Sequence, residues 1–173
     1  MRGLAERHHS ALVALTSWRT APDEALIALE ECTAADRVSA TMRGRALALA
    51  AQLRAAKADA EAVTALRQAI TETHRHGERT GVATAFDRGI QVLVHLGHYE
   101  LAAVLGGIVT EGVFANTYGA PAHELPDRRR ALEQLAKELG AERYAAAIAR
   151  GAVMSYDEAI DSTTSALDSL IRS

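Results

Sequence analysis

At 173 residues the chain has material for one compact unit or a short repeat array, enough to bury a core without disulfides or metal. A net charge of −3 offers no global basic face for nucleic acid, and the single cysteine, Cys32, excludes an intramolecular disulfide. The longest apolar run, Leu101 to Val109, falls far short of the ~20 residues a membrane-spanning helix requires, and no signal-peptide pattern opens the chain, so a cytoplasmic location is expected.

Hydrophobic residues reach 49% while aromatics are only 4%, so the core must rest on Ala, Leu, Val and Ile. That composition favours closely packed helices, because Ala has the highest helix propensity and adds no bulk at a helix contact. Prolines occur only at positions 22, 121 and 126, leaving 23–120 free of the residue that forbids helix.

In chain order, Leu4, Leu12, Leu15 and Trp18 fall at roughly helical spacing, and Pro22 then opens a short second helix ending near Thr33. Asp36 is placed to cap a third helix through Val38, Met42, Leu47 and Leu53. The fourth carries Val63, Leu66, Ile70 and His74 and stops at Gly77; the fifth starts near Thr80 and stops at Gly97. A sixth helix runs through Leu101, Val104, Leu105 and Ile108, with Gly106-Gly107 read as a close-packing point or kink. Periodicity fails over 110–126, the long loop. Asp127 is expected to cap a seventh helix, Gly140 to stop it, and Gly151 to stop an eighth. Ser155 with Glu158 three residues later forms a capping box for a ninth.

Turns after Trp18, at Ala58 and at His98 recur at roughly the interval of a helix-turn-helix repeat. The fold expected is all-α: about 8–9 helices in antiparallel pairs, stacked as a short solenoid over a single domain, 1–173. A bundle with extra helices is the alternative.

The segment Leu96-Gly97-His98-Tyr99-Glu100-Leu101-Ala102 resembles the inter-helix turn of tetratricopeptide repeats, G-x-Y-x-x-A. Gly97 would reverse the chain, Tyr99 would wedge between the paired helices, and Ala102 would let their backbones approach. The remainder is divergent, with Gly89-Ile90 in place of the usual Leu-Gly pair. A second likeness lies in Leu139-Gly140, Tyr144, Ala149-Arg150-Gly151, Met154-Ser155 and Asp157-Glu158-Ala159. These resemble the C-terminal region of actinobacterial regulators that join a switch ATPase to helical repeats and either a LuxR-type DNA-binding domain or a nucleotide cyclase. The resemblance implies a sensor or scaffold arm of a signalling or transcriptional regulator, without catalytic residues. The chain is then either an excised domain or a stand-alone relative.

No phosphate-binding G-x-x-x-x-G-K-[ST] loop occurs. The histidine pairs His95/His98 and His74/His76 lack Cys or carboxylate partners at ligand spacing, so neither a metal nor another cofactor is expected. Ser155 reads as a cap and not as a nucleophile, and Arg128-Arg129-Arg130 as a solvated first turn. The expected function is a non-catalytic interaction module that holds a protein or peptide partner, with Phe86, His95, Tyr99 and Tyr118 as the candidate binding surface. The alternative is a sensor domain in which those four line a small-ligand pocket. Leu12, Leu15 and Trp18 mark an apolar N-terminal patch, for which weak homodimerisation is expected.

Overall fold

The computed structural model describes residues 4–35, 38–116 and 124–173. Among them the chain is all-α, with helices α1 (Leu4–Ser17), α2 (Pro22–Thr33), α3 (Ala40–Ala55), α4 (Glu61–Arg75), α5 (Arg79–His95), α6 (Tyr99–Thr110), α7 (Leu125–Leu139), α8 (Ala141–Ala152) and α9 (Tyr156–Ile171). None of these helices is long and apolar enough to cross a membrane.

Several boundaries follow from local chemistry. Pro22 begins α2, where its missing N–H has no helical partner to lose. At the end of α5, Gly97 has φ of 79°; its N–H donates to Val94 O (3.2 Å) and the His98 N–H to Leu93 O (2.8 Å). Those are the paired bonds of a Schellman cap, and a side chain resists the left-handed backbone they need. Gly77 closes α4 in the same way. Ser155 and Glu158 make both bonds of the capping box that starts α9.

Other boundaries differ from expectation. Asp36 lies outside the described residues; Ser39 caps α3, accepting from the Met42 N–H at 3.2 Å, and Val38 falls outside the helix. Asp127 does not cap α7, which begins two residues earlier; its carboxylate instead serves Arg19 and Arg130. Gly151 does not stop α8 but lies inside it, because it is needed at a helix crossing.

The helices form antiparallel pairs, α1/α2, α3/α4, α5/α6 and α7/α8, and the first helices of the pairs pack side by side in the order α1, α3, α5, α7. The second helix of each of the first three pairs also packs on the first helix of the next. Two apolar clusters result: one among α1, α2 and α3 around Leu29, Cys32 and Leu49, and a larger one among α3 to α9 around Leu66, Phe86, Ile90, Leu93, Leu105 and Leu135.

Because α6 and α8 cross backbone to backbone, a Cβ on Gly107 would collide with the backbone of Ile148. The Gly106-Gly107 pair is thus a close-packing point. The last helix departs from a simple array. Instead of capping the C-terminal end, α9 returns to lie against α4 and α6. There Asp168 pairs with Arg67, and Tyr156 meets the His74 ring nitrogen at 3.2 Å and the Arg79 guanidinium at 4.3 Å from its ring.

Candidate functional site

α5 sits between α3, α4, α6 and α7, so most positions along it are buried, including the charged neighbours Asp87 and Arg88. A buried charge is tolerable only when it is paired and hydrogen-bonded. Arg88 donates through one Nη to Gln52 Oε1 of α3 and through the other to Glu124 Oε1, just before α7, both at 2.6 Å. Asp87 accepts from Arg128 of α7 at 3.2 Å. Burial pushes the Asp87 carboxyl above the usual carboxylate range, and the Arg128 guanidinium pulls it back. These four charges tie α7 to α5.

Above this network lies an open groove of about 440 Å³, lined by α3, α5, α7 and the turn that follows α1. Trp18 and Arg19 stand at the exit of α1, where Thr20 turns the chain by bonding back to Ser17 O. Arg19 stacks over the Trp18 indole at 4.3 Å, and Arg88 approaches that ring to 5.9 Å. Gln52 and Leu53 come from α3, Gln91, Val94 and His95 from α5, and Asp127, Arg130, Ala131 and Gln134 from α7. The Gln52 side-chain N–H donates to Gln91 Oε1 at 2.7 Å. Leu53, Val94 and Ala131, each 5–7% exposed, thus form a nearly closed apolar floor near the amides of Gln52, Gln91 and Gln134.

A somewhat larger groove, about 510 Å³, lies between α1 and α2 and is lined largely by Val13, Ala14, Ala25 and Ile27. Its polar lining residues, His9, Ser10, Ser17 and Glu24, make no side-chain to side-chain hydrogen bond with one another among the described residues. The groove across the first helices combines apolar area with oriented donors, acceptors and charges, the composition of a recognition site.

The structure redistributes the residues picked from sequence. Phe86 is no surface residue: it is fully buried, edge-on to Phe114 with ring centroids 5.6 Å apart, because α5 is central and presents no free face there. His95 is exposed in the groove, its Nδ1 donating to Gln91 O at 2.8 Å. Tyr99 opens α6 half-buried against the core, and Ala102 is fully buried beside it. Tyr118 lies outside the described residues. Phe86, His95 and Tyr99 therefore share no pocket.

In the N-terminal patch Leu12 is exposed, whereas Leu15 and Trp18 pack in part against the first cluster. Among the described residues no group of three His, Cys, Asp or Glu side chains is placed to hold a metal ion. Cys32 is buried, and burial raises its thiol above the ordinary value.

Sequence reasoning passed over Gln52, Gln91, Gln134 and Arg88. A signal was present, because glutamines recur on successive first helices at about the repeat interval. No protein-family model, curated protein or solved structure matches the chain.

Proposed function

We propose that this chain is a non-catalytic interaction module that holds an extended segment of a partner protein along the groove formed by α3, α5, α7 and the turn after α1. The observation that carries this reading is the groove itself: α3, α5 and α7, with the turn after α1, supply an open surface that combines apolar residues with amides. Stacked pairs present such surfaces repeatedly, so a partner is held by many modest contacts over a long line. The resemblance of the Gly97 turn to tetratricopeptide repeats agrees with that use, and a role as scaffold or sensor arm of a signalling or transcriptional regulator is the setting proposed for it.

The small-ligand alternative finds less support. Its proposed liners are dispersed, with Phe86 sealed in the core and His95 at the surface.

The reading is tested by selecting binders from a displayed random-peptide library and titrating them by fluorescence of Trp18, the only tryptophan. Ala56→Tyr and Gln134→Tyr, both at exposed groove positions, should each abolish binding of the selected peptides. Peptides that bind both variants as they bind the unaltered protein would overturn it.

A further inference from the structure

The direction of the hydrogen bonds beneath the groove is not free, and it determines what the groove presents. A guanidinium carries donors only, so the Arg88 bond at 2.6 Å requires that Gln52 turn its Oε1 toward α5. The Gln52 NH2 then faces Gln91 and needs an acceptor, which fixes Gln91 with Oε1 inward at 2.7 Å. What remains is the Gln91 NH2, which has no partner among the described residues although Gln91 lines the groove.

The buried cation thus reaches the surface as a donor, through two amides that cannot flip without losing a bond. Donation from an ionised group also strengthens the bonds that follow it in a chain. Trp18 in the same wall has a buried indole N–H with no acceptor. At the rim, Arg19 and Arg130 both pair with the carboxylate of Asp127, which places two guanidinium groups beside the groove.

We propose that the groove binds an internal acidic side chain, Asp or Glu, of an extended partner segment, with the carboxylate accepting from Gln91 Nε2 beside the Arg19–Arg130 pair. This rests on the reading of the groove as a peptide site and specifies the chemistry of the peptide. A carboxylate supplies two acceptor oxygens and no donor, which matches a floor that ends in donors. Amide or cationic side chains would bring further donors against Gln91.

The test uses four ten-residue probes, each acetylated: amidated Asp-Leu, Asn-Leu and Lys-Leu repeats, and an Asn-Leu repeat with a free C-terminal carboxylate. Each is titrated against the full chain by Trp18 fluorescence. The Asp-Leu peptide should bind saturably, and the amidated Asn-Leu peptide at least about tenfold more weakly, the usual scale of a charge-assisted hydrogen bond. Gln91→Glu keeps an acceptor for Gln52 but turns the free end into an acceptor. It should retain the unfolding midpoint, lose the Asp-Leu peptide and gain the Lys-Leu peptide. Arg130→Gln, at a largely exposed site, should weaken Asp-Leu binding several-fold.

Equal or tighter binding of amidated Asn-Leu or Lys-Leu would overturn the acidic preference while leaving a peptide groove standing. Preference for the free C-terminal carboxylate would overturn the assignment to an internal side chain. No response to any probe would overturn the inference, with the library selection deciding the broader reading separately.

Discussion

Gly151 of α8 lies directly against Val104 of α6: a Cβ added to Gly151 would overlap the Val104 carbonyl oxygen and stand 3.0 Å from its carbonyl carbon. Because the obstacle is backbone, no rotamer change relieves it. Gly151→Ala gains up to ~1 kcal/mol of helix propensity, yet it should still destabilise the protein by about 1–3 kcal/mol through the forced separation of α6 and α8. Urea titration followed by circular dichroism measures the balance, and a stabilised variant would mean that the crossing is looser than described.

Gly97 presents the opposite case. A Cβ there meets nothing within 4 Å, so only its φ of 79° resists a side chain. Gly97→Val should destabilise by ~1 kcal/mol or more, and Gly97→Asn by less, since Asn tolerates the left-handed region. Equal effects of the two would detach the cost from backbone conformation.

Removing Arg88 takes away the guanidinium that donates to the buried Glu124 carboxylate at 2.6 Å. Arg88→Met should cost about 3–5 kcal/mol, and adding Glu124→Gln to it should recover part of the loss, since the residue left behind is then neutral. The expected readout is a double-mutant cycle in chemical denaturation; strict additivity would show that the two groups do not depend on each other.

The start of α9 supplies a pH-dependent prediction. Bonds from the Ser155 backbone N–H, then from its side chain, hold the Glu158 carboxyl below its ordinary value of 4.5. A depressed folded-state value means that the capping contribution is complete above pH 4.5 and is lost as the pH falls through the folded value. Glu158→Gln should flatten the acid limb of the stability curve in that window. Ser155→Ala should cost about 1 kcal/mol at neutral pH.

At the N-terminal end, Leu12, Val13 and Ile27 are 51%, 47% and 58% exposed on the first helix pair. Weak self-association through α1 and α2 is expected, visible as a mass that rises with concentration in light scattering, and Val13→Asp together with Ile27→Asp should abolish it. A strict monomer at high concentration would assign this face no role in self-association.

Much of the helical order was legible because its determinants are local. Pro22, the turn glycines 77 and 97, and the Ser155–Glu158 box each act within a few residues, so spacing alone exposes them. The assignments that failed depend on distant partners. Gly151 resembles a helix stop until α6 is placed against it, and Asp127 resembles a cap until Arg19 reaches it from α1. Phe86 looked available as an aromatic surface, although α5 is apolar around most of its circumference. That breadth marks a central helix, and it is also the sign that its Asp87 and Arg88 would need buried partners.

The return of α9 to α4 and α6 changes how the molecule should come apart. In an array whose pairs touch only their neighbours, unfolding can fray from either end one repeat at a time. Here the Arg67–Asp168 pair joins residues far apart in the chain, and Tyr156 joins the start of α9 to the end of α4. Losing α9 therefore uncovers the middle of the stack, so the C-terminal end cannot melt independently of it. The seam on α4 also stays open until α9 has left the ribosome, so this contact forms only after helices α1 to α8 have been made.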